Sequence, residues 1–197
     1  MAEYTFTQNW FHWAPEVWLQ LATSLPARKR FLEIGSFEGR STVWAAENML
    51  EDGGSITCID PWPTGGDYGD EVSGTAEDRF DHNLSVLKER FPARQVEKAK
   101  GLSISVVASL IDKFGLDGIY DFIYVDGNHT APAVLTDACM VWPLLRHGGI
   151  IVFDDYLWGD ARDILDRPKL AVDAFLNIFA ESADILHLGY QMAARKK

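Results

Sequence analysis

The sequence predicts an α/β protein with a mostly parallel sheet. From Phe31 onward, short segments rich in β-branched and aromatic residues alternate with longer segments of helical periodicity. One short segment, GGIIVFDDY from Gly148 to Tyr156, contains four consecutive apolar residues, which is typical of a strand covered on both faces. Strands and helices that alternate in this way form a parallel sheet with helices packed against it.

The strands and helices are predicted in the following order. Pro15 opens a first helix, which Pro26 ends, because proline fits a first helical turn and cannot continue one. Apolar and β-branched runs predict seven strands, at 31–35, 55–60, 94–99, 120–126, 149–153, 185–188 and 190–194. Helical spacing predicts helices at 40–50, 76–91, 103–114, 131–145 with an interruption near Pro143, and 169–179. No internal repeat or linker divides the chain, so we expect one domain, residues 1–197, in which residues 1–26 are an aromatic and helical N-terminal extension.

Composition excludes some partners. Lys and Arg total 18 against 29 Asp and Glu, so the formal net charge is −11. We therefore expect no nucleic acid and no membrane among the partners, because both favour basic surfaces, whereas metal ions and cationic ligands are compatible with this charge.

Cellular location is predicted from what the sequence lacks. The start has no signal peptide pattern, and no apolar run approaches the ~18 residues of a membrane span. Cys58 and Cys139 lie far apart in apolar segments without metal-type spacing. We expect both to be reduced core thiols of a cytoplasmic protein.

In a parallel sheet, ligands bind beyond the carboxyl ends of the strands. The first strand ends in FLEIGSFEGRST, where Gly35 and Gly39 bracket a turn that opens a helix. Glycines there let a ligand approach the backbone closely, or serve packing alone. The spacing differs from the dinucleotide pattern G-x-G-x-x-G, because Phe37 replaces its second glycine.

The second strand ends in CIDPW. Asp60 is well placed to accept hydrogen bonds from ribose hydroxyls, or is a turn residue before Pro61. Trp62 either stacks on a ligand or packs in the core. The two strand ends together favour an adenosine-containing ligand.

The fourth and fifth strands end in carboxylates. Asp126 ends one strand in FIYVDGNHT, and Asp154 and Asp155 end the other in IVFDDY. Neighbouring parallel strands bring these groups to one edge, where they repel and raise each other's pKa values. A divalent cation such as Mg²⁺, Mn²⁺ or Ca²⁺ removes the conflict, so we expect a metal site; a solvated acidic turn is the alternative for Asp154 and Asp155 alone.

These motifs resemble those of class I S-adenosylmethionine-dependent methyltransferases, and more narrowly the metal-dependent O-methyltransferases of the catechol and macrolide-sugar type. The resemblance extends from Phe31 to the C-terminus and implies a Rossmann-like, doubly wound, mostly parallel seven-stranded sheet with an antiparallel C-terminal strand. It assigns the cofactor S-adenosylmethionine to Glu33, Gly35, Ser36, Gly39, Ser41, Asp60, Trp62, Ser103 and Asp126. It assigns Mg²⁺, or another divalent cation, to Asp126, Asp154 and Asp155.

Two departures favour the macrolide-sugar branch. Catechol-type enzymes have Asp-Asn at the second metal segment, where this chain has Asp154-Asp155, and a lysine three positions after the first aspartate, where this chain has His129. The resemblance implies that His129 is the general base. The alternative is that His129 caps a helix or lies at the surface.

The predicted function is transfer of a methyl group to a hydroxyl of a small molecule. A nicotinamide-dependent oxidoreductase on a related fold and a catalytically inactive cofactor-binding protein are the alternatives. We expect the aromatic N-terminus to form a lid, a homo-oligomer interface or a cover for a sheet edge, with packing favoured over substrate contact. The glycine-rich segment from Trp62 to Gly74 is predicted to be a mobile lid.

Overall fold

The structure is a computed structural model that describes residues 2–63, 73–159 and 163–197, with side chains described from residue 76 in the second range. The predicted lid extends from Trp62 to Gly74, and its residues 64–72 lie outside the described residues.

Seven strands form one sheet. They are β1 (Arg30–Ile34), β2 (Ser55–Asp60), β3 (Gln95–Lys100), β4 (Tyr120–Val125), β5 (Leu145–Phe153), β6 (Ala183–Leu188) and β7 (Met192–Lys196). Their spatial order is β3-β2-β1-β4-β5-β7-β6. The first five strands pair in parallel, and β7 pairs antiparallel with both β5 and β6. The predicted mostly parallel sheet with an antiparallel C-terminal strand is thereby confirmed.

In the described ranges, six α-helices accompany the sheet. They are α1 (Ala14–Ala22), α2 (Arg40–Asn48), α3 (Ser73–Arg90), α4 (Ser103–Phe114), α5 (Ala131–Val141) and α6 (Pro168–Ile178). Among the described residues, none of the helices is long and apolar enough to cross a membrane.

Several element boundaries differ from the prediction. The helix predicted at 131–145 ends at Val141 and continues as a 3-10 turn from Trp142 to Leu144, because Pro143 cannot donate a helical hydrogen bond. Strand β5 starts at Leu145, four residues before the predicted start at Gly149.

The two cysteines differ in environment. Cys58 is buried as predicted, but Cys139 is exposed on α5, so its prediction as a core thiol is wrong. The buried face of α5 includes Ala138 and Val141, and Cys139 points away from that face.

The strands are buried on both faces, which explains their continuous apolar sequences. On β4, Phe122 and Tyr124 pack with α1, α2 and α3, whereas Ile123 and Val125 pack with α4, α5 and α6. This alternation follows from the two-residue period of a strand. Because Asp126 comes two residues after Tyr124, its side chain lies on the same side of the sheet as that of Tyr124.

The strand register aligns the ends of four strands. Ile34 pairs with Ile59 and with Val125, and Val125 pairs with Phe153. The residues after these positions therefore meet at one edge of the sheet.

Candidate active site

The turn after β1 requires its glycines because of contacts within the protein. Gly35 has φ +85°, and a Cβ atom there would lie 1.9 Å from the carbonyl oxygen of Asp126. Gly39 has φ +78°, and its Cβ would lie 2.9 Å from the ring of Phe80. Packing against the adjacent strand and helix therefore accounts for both glycines, and Gly35 also lines the cleft described below.

Glu33 holds this turn from beneath. Its side chain is buried and accepts hydrogen bonds from the hydroxyls of Ser36, at 2.9 Å, Ser41 and Thr42. Burial raises the pKa of Glu33, and the three hydroxyl donors oppose that rise. Glu33 and Ser41, both predicted to contact the cofactor, thus bond to each other within the turn.

Asp60 faces the same turn from the end of β2. One carboxylate oxygen accepts the N–H of Phe37 at 2.9 Å, and the other accepts the N–H of Trp62 at 2.7 Å. Asp60 also lines the cleft, and each oxygen keeps a lone pair for a further donor.

Trp62 and Ser103 lie away from the cleft. Trp62 is only 2 % exposed and packs against Phe80, which is the core alternative of its prediction. Ser103 is the first residue of α4, and it opposes the rise that burial causes in the pKa of Asp137. Neither is among the described residues that line the cleft.

An acidic cluster with one histidine forms at the ends of β4 and β5. His129 Nε2 lies 3.0 Å from Asp155 Oδ2 and 3.8 Å from Asp126 Oδ1. Each of these three residues offers one ligand atom, and the three atoms lie within 4.8 Å of one another. Asp126, His129 and Asp155 therefore converge at one point, as a cation site requires.

The adjacent carboxylates of Asp154 and Asp155 point in different directions. Asp155 has a left-handed backbone, φ +54°, which aspartate tolerates better than most residues. Its side chain turns to His129, whereas Asp154 Oδ2 accepts a hydrogen bond from the hydroxyl of Tyr124. The two like charges therefore have different partners, Tyr124 for Asp154 and His129 for Asp155.

Like charges and burial shift the titration of this cluster. Burial and the charge of Asp154 hold the pKa of Asp126 well above its usual range. Burial also raises the pKa of Asp154, with a further contribution from Asp155. For His129, burial acts to lower the pKa, but the carboxylates of Asp126 and Asp155 outweigh it and raise the value.

These groups share a cleft of about 380 Å³. The described residues lining it are Trp10, Trp13, Gly35, Phe37, Asp60, Asp126, Gly127, His129, Asp154, Asp155, Trp158 and Tyr190. A smaller cavity of about 60 Å³, lined by Ser36 and Ser41, adjoins it and shares Gly35, Asp126 and Asp154.

Aromatic rings surround the cleft. Trp10 stacks on Phe37 with ring centroids 5.3 Å apart, Trp13 meets Tyr190 edge-on at 5.3 Å, and Trp158 meets His129 edge-on at 5.0 Å. Of the N-terminal aromatics, Phe11 and Trp18 pack in the core, whereas Trp10 and Trp13 line the cleft.

Sequence reasoning missed several cleft residues. Phe37 lies within the FLEIGSFEGRST turn but was interpreted only as the residue in place of a glycine. Trp158 and Tyr190 follow strands β5 and β6 without any motif of their own. The signal that could have found Trp158 was its position after the strand end IVFDDY, since the segment after a strand end borders the ligand site in such sheets.

Comparison with known proteins identifies the family. A family model described as a methyltransferase domain matches residues 32–156, which is more than half of the chain. The chain belongs to this methyltransferase family.

Individual relatives are distant. Caffeoyl-CoA O-methyltransferase 3 of Nicotiana tabacum is 27% identical over 176 residues, covering 89% of this chain and 64% of that enzyme. Across the curated relatives, the chain spans between 46% and 65% of the relative's length.

Solved structures share the fold. The O-methyltransferase TomG from Streptomyces achromogenes, in complex with SAM, superposes with a TM-score of 0.67 at 19% identity, covering 93% of this chain and 79% of that one. MycE methyltransferase from the mycinamycin biosynthetic pathway, in complex with Mg and SAH, superposes with a TM-score of 0.61 at 16% identity, covering 98% and 51%. The Rossmann-like methyltransferase fold is thereby confirmed.

Proposed function

We propose that this chain is an S-adenosylmethionine-dependent and divalent-cation-dependent O-methyltransferase that acts on a hydroxyl of a small molecule. The observation that supports it most is the convergence of Asp126, His129 and Asp155 within 4.8 Å in a cleft that also contains Asp60. The named activities of the relatives point in the same direction.

The cofactor half of the proposal rests on the turn after β1 and on Asp60. When bound, S-adenosylmethionine supplies an activated methyl group on a sulfonium. Asp60 is rigid, because the N–H groups of Phe37 and Trp62 fix both oxygens. Its remaining lone pairs are oriented to accept the ribose hydroxyls of a nucleoside, and its charge suits a cationic ligand.

The cation half rests on the donor set. Carboxylate oxygens suit Mg²⁺, Mn²⁺ or Ca²⁺, and His129 is assigned to proton transfer and not to the cation. Asp126 and Asp155 would hold the cation, and Asp154 remains the predicted third carboxylate. A cation bound there lowers the pKa of an acceptor hydroxyl and fixes its direction.

His129 is the proposed general base. Its side chain is partly exposed to the cleft, and its Nε2 atom is directed between Asp126 and Asp155. The two carboxylates raise the pKa of the imidazole, so neutralisation of their charge returns the pKa toward its ordinary value of about 6.5. The imidazole then takes the acceptor's proton near neutral pH.

The aromatic rim suggests how the acceptor is held. Trp13 and Trp158 are 39 % and 46 % exposed, so each presents ring surface to the cleft. Such rings bind flat apolar faces, either an aromatic ring or the face of a sugar, and exclude water from the reacting groups. Both a phenol and a sugar hydroxyl fit this rim.

Binding calorimetry tests the cofactor assignment. S-adenosylhomocysteine is expected to bind and NAD is not, which separates a methyltransferase from an oxidoreductase. Asp60→Ala is expected to weaken binding by about 1–3 kcal/mol, the cost of unpaired polar partners. Asp52→Ala is the control, because Asp52 is exposed and precedes β2 at its opposite end. Equal affinity of wild type and Asp60→Ala would remove Asp60 from the site.

A further inference from the structure

The hydroxyl of Tyr124 lies between two carboxylates of the cluster. Tyr124 is 1 % exposed, and it precedes Asp126 by two residues on the same face of the sheet. Its hydroxyl lies 3.0 Å from Asp126 Oδ2 and also bonds to Asp154 Oδ2. One buried phenol thus joins the ends of β4 and β5.

A phenol has one proton, so the hydroxyl donates to one of the two carboxylates and accepts from the other when that group is protonated. In either arrangement the Oδ2 atom of each carboxyl group lies against the phenol oxygen. With Oδ2 bonded to Tyr124, the Oδ1 atom of Asp126 is the one that faces His129, at 3.8 Å. Asp154 is fixed further, since its Oδ1 accepts the N–H of Asp155 at 2.8 Å. The rotation of both carboxylates is therefore set from inside the protein.

Gln191 supports the same arrangement. It is 2 % exposed, and its carbonyl oxygen accepts the indole N–H of Trp18 at 2.9 Å, which orients the amide. The amide nitrogen is buried and makes no hydrogen bond to the described residues, and the Gln191 side chain acts against the rise in the pKa of Asp154. Trp18 also packs edge-on against Tyr124, with ring centroids 4.7 Å apart, so the phenol ring is held as well.

We propose that Tyr124 is a positioning residue whose hydroxyl orients Asp126 and Asp154 for cation binding. This inference rests on the proposed function. A phenylalanine at this position would keep the packing against Trp18 and lose only the hydroxyl. The ring is therefore sufficient for the packing, whereas the two contacts with carboxylate oxygens require the hydroxyl. Partners of this kind, which orient the ligands of a cation without touching it, typically contribute 10–100-fold to its affinity.

The experiment measures Mn²⁺ affinity by calorimetry on the full chain, with neither cofactor nor acceptor present. Tyr124→Phe is compared with wild type and with Tyr120→Phe. Tyr120 is a matched control, because it is buried on the same strand and its hydroxyl bonds to Thr57, at 3.3 Å, away from the cluster. S-adenosylhomocysteine affinity is measured on the same samples.

We expect Tyr124→Phe to bind Mn²⁺ about 10–100-fold more weakly while its S-adenosylhomocysteine affinity stays unchanged. Tyr120→Phe should match wild type in both measurements. Equal Mn²⁺ affinity of Tyr124→Phe and wild type would overturn the positioning role and leave the proposed function intact. Parallel loss of both ligands would also overturn it, since the effect would then be general. A wild-type chain that binds no Mn²⁺ would overturn the cation half of the proposed function and the positioning role together.

Discussion

At the scale of single residues, unusual backbone conformations are found around the cleft. The non-glycine residues with positive φ, among those described, are Phe37, Trp62 and Asp155. Phe37 and Asp155 line the cleft, and Trp62 bonds to Asp60. A left-handed residue of this kind costs about 1–2 kcal/mol, and such costs are concentrated at functional sites.

The role of His129 can be separated from that of the carboxylates. If the imidazole is only the base, His129→Ala should keep Mn²⁺ and S-adenosylhomocysteine affinity within a few-fold of wild type. Turnover should fall by roughly 10²–10⁴-fold, the usual contribution of a positioned base. Steady-state kinetics and calorimetry measure the two effects.

The control for this variant is His147→Ala. His147 lies near the start of β5, at the opposite end of the strand from Asp154. Wild-type turnover in His129→Ala would remove the base assignment, and with it the preference for the sugar-type branch.

At the scale of elements, the close approach of the turn after β1 to the end of β4 positions the site. Gly35→Ala should destabilise the protein by about 2–5 kcal/mol, the sum of left-handed strain and overlap with the carbonyl of Asp126. Gly53→Ala is the matched control: its φ of +78° is close to the +85° of Gly35, but no atom lies within 4 Å of the added Cβ. It should lose only about 1–2 kcal/mol.

Urea unfolding of both glycine variants measures this difference. Equal losses would mean that the turn adapts without disturbing β4. A larger loss in Gly35→Ala, accompanied by weaker S-adenosylhomocysteine binding, is the expected result.

The strand ends were predictable because they depend on local patterns. Apolar runs that stop at Asp60, Asp126 and Asp154 identify both the strands and the edge where ligands bind. The parallel register then brings these residues together without further information.

Side-chain direction was not predictable from the sequence. The left-handed backbone of Asp155, the inward rotation of Asp154 and the buried phenol of Tyr124 depend on contacts between strands. Strand β7 was predicted at 190–194, two residues before its observed start at Met192. The start is set by the register that pairs Met192 with Phe153, and the sequence around Gly189 does not reveal that register.

At the scale of the whole molecule, the N-terminal segment is attached beside the site. Thr7 donates from its N–H and its hydroxyl to the buried carboxylate of Glu38, at 2.7 and 2.6 Å. Asn83 bonds to both backbone groups of Thr5. These bonds bring Trp10 to the cleft. A homo-oligomer formed through this aromatic segment remains a prediction.

The partly buried acids Asp126 and Asp154 make the stability of the cation-free protein depend on pH. Because the folded-state pKa values of Asp126 and Asp154 are raised, the unfolded chain releases these protons at lower pH than the folded chain does. The free energy of unfolding therefore falls as pH rises from about 4. The raised pKa of His129 acts in the same direction above about pH 6.5.

Thermal unfolding in excess chelator, from pH 5.5 to 8.5, measures this decline. Asp126→Asn should make the decline in the free energy of unfolding about 1–3 kcal/mol smaller at pH 8.5, because the charge of Asp126 is then absent. Asp184→Asn, at an exposed ion pair with Lys197, should leave it unchanged. A wild-type stability that rises with pH over this range would contradict the account.

The central claim is cation-dependent methyl transfer. The most direct measurement follows the methyl group of labelled S-adenosylmethionine into a panel of phenolic and sugar-hydroxyl acceptors, with excess chelator and then with added Mg²⁺ or Mn²⁺. We expect no transfer in chelator, recovery on adding the cation, and no recovery in Asp155→Asn. Transfer at the full rate in excess chelator would contradict it.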